Sequence, residues 1–204
     1  MTLVELRTLF RLMAGPEFDE LANGTIDDWI NEAHRYICTA FRVYQRMTQL
    51  EFSGGVSSVD VPADFVSLDD EYGNAGTLLN SETNQGLIQI APAEARLKTT
   101  TGHETHVWFW IWGRQIYGLP VALVAGIYNL LYFGTDTNLT EDGDSPSYAE
   151  VYHELLVTYA LYRAYLSKVQ EGTRDKRALT HWNLFKEQVT IVKAKEKGQG
   201  PPAA

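Results

Sequence analysis

Ser147–Val169 reads SYAEVYHELLVTYALYRAYLSKV, and its pattern decides how the rest of the chain is arranged. Ser147 with Glu150 three positions on has the form of a capping box, which marks a helix start. Behind it, Val151, Tyr152, Leu155, Leu156, Val157, Tyr159, Leu161, Tyr162, Tyr165 and Leu166 place apolar side chains on nearly every face. An ordinary surface helix buries one stripe and shows the rest to water. This one needs cover on several sides. It is either a central helix of its own domain or a helix at a subunit contact. Tyrosine suits a contact because its ring packs while its hydroxyl still finds a partner. The rest of the chain tips the reading toward assembly, with Tyr152, Tyr159, Tyr162 and Tyr165 as contact residues.

Three more helices flank this one in sequence. Thr2 and Glu5 form a second capping-box pattern, with Leu6, Leu9, Phe10 and Met13 on one side and Gly15-Pro16 as the stop. Thr25 opens the next helix, with Asp27 and Asp28 in its first turn, where negative charge favours the dipole. Ile26, Trp29, Ile30, Ala33, Ile37, Phe41 and Tyr44 carry the helical period to about Met47. The last helix, from about Asp175 to Lys195, sets Leu179, Trp182, Phe185, Val189 and Val192 on one face, and Gly172 ends the helix before it.

Between Leu50 and Phe133 the period is two. Leu50–Ser53 and Val56–Val61 flank Gly54-Gly55 as a hairpin, closed by Pro62. Phe65–Leu68, Gly76–Leu79, Gly86–Ile90, Val107–Trp112, Gln115–Leu119 and Val121–Phe133 follow as strands, with a helical turn at Ala93–Lys98. The expected fold is α+β. Residues 1–49 and 134–197 make a helical bundle, 50–133 an inserted antiparallel β-rich lobe, and 198–204 a flexible tail.

Composition narrows the function. With 26 acidic against 17 basic residues and a net charge of −9, the chain is unsuited to gripping nucleic acid by its phosphates. The single cysteine, Cys38, excludes an intramolecular disulfide and reads as a small buried hydrophobe, compatible with a reducing cytoplasm. MTLVELRTLFRLM interleaves charged with apolar residues, unlike a secretory signal. Gln115–Thr135 is charge-free and long enough to span a bilayer, but Gly118, Pro120, Gly126 and Asn129 and its β-branched alternation favour a buried strand. No membrane partner is expected.

Three features invite a chemical reading. His103-Glu104-Thr105-His106 resembles a shortened zinc-protease motif, but the histidines are three apart rather than the required four, so a polar loop is expected. Asp136, Asn138, Glu141, Asp142 and Asp144 suggest a calcium loop. Aligned from Asp136, the turn glycine is Glu141 and the twelfth position is Ser147, so a solvated mobile loop is expected instead. Trp108, Trp110 and Trp112 alternate along one strand face, opposite Val107, Phe109 and Ile111. Burial between two layers is the first explanation for that ladder, a subunit contact the second and a sugar platform the third. No catalytic, cofactor or metal residues are assigned, and no enzyme is expected.

The order of elements and several phrases resemble the head-to-tail adaptor (connector) proteins of tailed bacteriophages over about Thr2 to Lys195. The phrases are Trp29-Ile30-Asn31-Glu32-Ala33, Val59-Asp60-Val61-Pro62-Ala63-Asp64-Phe65, Gly113-Arg114-Gln115-Ile116-Tyr117-Gly118-Leu119-Pro120, Tyr128-Asn129-Leu130-Leu131-Tyr132-Phe133 and Tyr148-Ala149-Glu150. The resemblance implies a non-enzymatic virion protein, made in the host cytoplasm and placed in the neck. Such adaptors form a ring, usually of twelve subunits, that binds the portal protein and tail or nozzle proteins. Genome passes through the channel without specific binding. On that footing Trp182 and Phe185 join the tyrosines as subunit-contact residues. Some of Asp69, Asp70, Glu71, Asp136, Glu141, Asp142 and Asp144 are expected to face the lumen, where like charge keeps DNA from sticking. The competing reading is a β-rich carbohydrate-binding module using the Trp108/Trp110/Trp112 face.

Overall fold

A computed structural model describes residues 1–53, 58–69, 77–98, 107–119, 125–168 and 176–198, the side chains at 96–98, 193 and 195–198 apart. The fold is mixed α+β and divides into two compact units. One comprises Met1–Tyr44 with Asp136–Ala204, the other Gln45–Thr135.

In the helical unit, α1 (Leu3–Ala14) starts at the Thr2–Glu5 capping box, with both reciprocal hydrogen bonds formed. Each satisfies a backbone N–H that the first helical turn leaves without a partner. A 3-10 turn at Pro16–Phe18 leads to α2 (Asn23–Phe41). This helix ends earlier than its period suggested. Arg42 takes a left-handed conformation (φ 53°), and the chain is extended from Gln45. Ser147 is not the cap of the tyrosine helix. Its N–H and hydroxyl bind the Asp136 carboxylate at 2.7 and 3.2 Å. A 3-10 turn at Glu150–Tyr152 then leads into α4 (His153–Ser167). The last helix, α5, spans Lys176–Gly198. Gly172 and residues 199–204 lie outside the described residues.

Helix α4 packs against α1, α2 and α5, which accounts for its apolar circumference. Leu156, Val157, Ala160 and Ala164 are fully buried. Around it, Tyr36, Tyr159, Trp182 and Phe185 form an aromatic cluster with ring centroids 5.3–6.2 Å apart. Phe10, Ile26, Ile30 and Ile37 complete the core from α1 and α2. Burying each such side chain contributes ~2–3 kcal/mol.

The other unit holds two sheets. In the first, β8 (Gly126–Gly134) is the spine. It pairs antiparallel with β1 (Gln45–Phe52) over eight residues. Along its other side run β3 (Phe65–Leu68) and β4 (Leu78–Asn80). The second sheet has the order β2-β7-β6-β5: Ser58–Asp60, Gln115–Leu119, Trp108–Trp112 and Ile88–Gln89, with β5 parallel to β6. A short helix, α3 (Pro92–Lys98), packs on β6.

The hairpin expected around Gly54-Gly55 is not formed by its flanking strands, because β1 pairs with β8 and β2 with β7, in different sheets. Residues 54–57 themselves lie outside the described residues. The helix expected over residues 42–47 is lost for the same reason: eight residues of pairing with β8 outweigh a weak local helical period.

Candidate interaction surface

Two of the phrases that carry the family resemblance are fastenings, one within each unit. Trp29-Ile30-Asn31-Glu32-Ala33 lies on α2. Trp29 packs on Phe10 at 6.3 Å, and Ile30 and Ala33 are buried. The Asn31 amide donates to the Leu139 carbonyl at 2.9 Å and accepts from the Leu139 N–H at 2.7 Å. Glu32 accepts from the Tyr159 hydroxyl at 2.9 Å and pairs with Arg163 at 3.1 Å. In the β unit, Asp64 of the Pro-x-Asp-Phe phrase accepts from the Tyr132 hydroxyl at 3.0 Å and from Arg46 at 2.7 Å. Its carbonyl takes the Thr135 N–H at 2.8 Å.

The acidic loop is therefore not a mobile solvated segment. Besides the Asn31 clamp, the Thr137 carbonyl lies 3.0 Å from His34 Nε2, and the Tyr148 hydroxyl lies 2.9 Å from His34 Nδ1. A carbonyl can only accept, so Nε2 carries the proton and Nδ1 accepts from Tyr148. Burial lowers the His34 pKa, the nearby Asp136 partly opposing it, and burial raises that of the Tyr148 phenol. The loop carbonyls of Asp144 and Asp142 take the first N–H groups of α1, from Leu3 and Val4, at 2.8 and 3.2 Å. Arg7 binds both Asp27 and Asp142, and these carboxylates raise its pKa. Asp144 Oδ2 accepts from the N–H groups of Thr140 and Glu141 at 2.7 and 2.8 Å, which lowers its pKa.

This places the seven acidic residues expected to line a lumen. Asp69 is fully buried and receives the Gln45 amide, so it faces no channel. The Asp136 side chain is 6% exposed and engaged in the loop, so it is also removed from the set. Glu141 and Asp142 are exposed, and Asp144 is half-buried. Asp70 and Glu71 lie outside the described residues, as do His103 and His106. Among the described residues, no three His, Cys, Asp or Glu side chains cluster as a metal site would require. No helix among them is long and apolar enough to cross a membrane.

The expected contact residues are also redistributed. Tyr152, Tyr159, Tyr165 and Phe185 are at most 8% exposed and belong to the unit's own core. Tyr162 and Trp182 are half-buried at its edge, 5.2 Å apart. Leu179 points outward and Ala178 inward, a shift of one residue from the expected face of α5.

The Trp ladder is graded rather than uniformly buried. Trp108 is 6% exposed, Trp110 is half-buried with its ring stacked on Tyr117 at 5.3 Å, and Trp112 is 66% exposed. On the opposite face Phe109 and Ile116 are fully buried, and Val107 and Ile111 are half-buried. A three-ring sugar platform is not formed, because the first ring is covered.

What the helical unit does present is an apolar groove between α1, α4 and α5. Leu9, Met13, Val151, Leu155, Ile191 and Val192 line about 350 Å³, with Glu154 and Gln188 among them. A second depression shares Leu9 and continues over Val4, Glu5, Thr8 and Leu12. Leu12 is 80% exposed, and Met13, Val151 and Ile191 are about half exposed. Contiguous large apolar side chains facing water mark contact surfaces more often than single exposed ones do. The sequence held a signal for this surface: α1 carries a second apolar row, Val4–Thr8–Leu12, beside its buried row of Leu3, Leu6 and Phe10.

An exposed apolar surface of this kind suits a protein that assembles with others. The family model for the SU10 adaptor protein matches residues 1–203. The chain belongs to that family. It is a phage head-to-tail adaptor family, so the adaptor is a virion component that associates with other head or tail proteins. No curated protein sequence matches the adaptor.

Proposed function

We propose that the adaptor forms a ring, of about twelve copies on the family pattern, between the portal and the tail of a tailed phage, with a central channel for genome passage. The observation that carries this reading is the family match along residues 1–203. The apolar groove on the helical unit supports it, since a virion component assembles through surfaces it hides from water. The net charge of −9 also supports it: a protein surrounding moving DNA works best when it does not hold phosphates. Glu141, Asp142 and Asp144 are the described residues proposed for the lumen, with Asp70 and Glu71 beside them in the proposal. A structure of the assembled ring with all five on the outer surface would remove that part.

The test is immunogold electron microscopy with antibody to this chain, on a lysate of its source that includes portal- or tail-disrupted particles. Gold at one vertex or at the neck is the expected result. Gold absent from every particle form refutes the neck position.

A further inference from the structure

The two flanks of α5 differ in a way that a closed ring can use. At 3.6 residues per turn, Leu184, Gln188 and Ile191 share one flank, and Leu179, Trp182 and Lys186 lie about 180° away round the helix. The buried Phe185, Val189 and Val192 occupy the side between them. The first flank is one wall of the apolar groove, where Gln188 and Ile191 meet Met13 and Val151.

Among the described residues, the groove holds a carboxylate and the far flank a lysine. Among the described residues, those lining the groove and its extension include two carboxylates, Glu154 and Glu5, and no cation. The cations of α1 point elsewhere: Arg7 to Asp27 and Asp142, and Arg11 to the Leu21 carbonyl and Asn23. On the far flank, Leu179 is 52% and Leu166 41% exposed, beside the half-buried Trp182 and Tyr162. The exposed Lys186 holds its ammonium 5.4 Å from the Trp182 ring centroid. Glu32, which lies against the same aromatic cluster, is already engaged by Tyr159 and Arg163.

We infer that the Leu179–Trp182–Lys186 flank of one copy docks into the Leu9–Met13–Val151–Ile191 groove of the next, with Lys186 meeting Glu154. A second copy is the occupant favoured by this geometry. Head-to-tail rings need two different, complementary patches on opposite sides of one subunit, whereas a two-fold dimer needs one self-complementary patch. Glu154 disfavours pairing of the groove with a second groove and favours the flank that carries Lys186. This inference rests on the ring reading and assigns its two surfaces.

The experiment uses the full chain carrying Glu154→Cys or Lys186→Cys, both at exposed positions, with a short thiol-reactive cross-linker. Cys38 is fully buried and free, so the background is low. Samples are cross-linked in solution and in particles that incorporate the variants, and sedimentation records their assembly state. The expected result is a cross-linked dimer in the mixture of the two variants and none in either variant alone. A Glu154→Cys homodimer overturns the inference in favour of a two-fold contact. A cross-link from Glu154→Cys to a different virion protein overturns it in favour of a portal or tail occupant. Assembled species without a mixed cross-link overturn the flank assignment and leave the ring reading standing. A monomer at every concentration, together with absence from particles, overturns both.

Discussion

Asn31→Ala tests whether the acidic loop is a strap, as its geometry requires. Asn31 makes two hydrogen bonds to one residue of that loop, at 2.9 and 2.7 Å, and both Asn31 and Leu139 are buried. Alanine removes both bonds at once and leaves the Leu139 N–H and carbonyl without partners in a site closed to water. A lost hydrogen bond costs ~1 kcal/mol net, and leaving a buried partner unsatisfied raises this to ~1–3 kcal/mol. Two such groups give an expected loss of about 2–6 kcal/mol, a large share of the ~5–15 kcal/mol that holds a domain folded. The measurement is urea unfolding followed by tryptophan fluorescence, since Trp29 and Trp182 both lie in the helical unit. Hydrogen exchange at the Leu139 amide reports the local part, which Asn31→Ala should speed strongly. Asn31→Asp keeps the acceptor but not the donor, so it should restore protection of the Leu139 amide in part. A stability change below ~0.5 kcal/mol, the size of an ordinary surface substitution, with unchanged exchange at Leu139, would refute the strap.

Gly134→Ala should destabilise the β unit by ~1–3 kcal/mol, the usual range for overpacking. An added Cβ would sit 2.8 Å from Asp64 Oδ2 and 3.1 Å from Arg46 Cδ, and a Tm unchanged by the substitution would contradict that crowding. Trp108→Ala should cost ~3–5 kcal/mol and Trp112→Ala less than ~0.5, since the two are 6% and 66% exposed; equal effects would contradict the graded ladder. Burial lowers the pKa values of His34, His153 and His181, so the folded state resists protonation more than the unfolded chain does. Their contribution is fully present above the ordinary histidine pKa near 6.5 and is lost as pH falls through the lowered folded values. Unfolding free energy should therefore drop between pH 7 and pH 5, and a rise over that interval would reverse the sign of the argument. Leu12→Asp, at a side chain 80% exposed, should leave stability within ~0.5 kcal/mol and still weaken assembly, as sedimentation would show.

What the chain dictates locally was legible from its residues. The Thr2–Glu5 cap, the helical periods at Ile26–Ile37 and the alternation at Trp108–Trp112 are properties of neighbouring residues, and each element formed where its pattern lay. The succession of helices, strands and helices therefore gave the α+β class, and five ordered phrases gave the family. Partners were not legible. Gln45–Phe52 became a strand because β8 was there to pair with it, which no local period encodes. The tyrosines of α4 could satisfy their apolar surface either at home or across an interface, and sequence periodicity is the same in both cases. Only the packing of α1, α2 and α5 around α4 decided for the core. Likewise, acidic residues in a loop read as solvated until Asn31, His34 and Arg7, from distant positions, are brought against them. Sequence patterns fix the surface each element must hide, whereas tertiary structure decides what hides it and which apolar face, here the α1–α4–α5 groove, is left over for a neighbour.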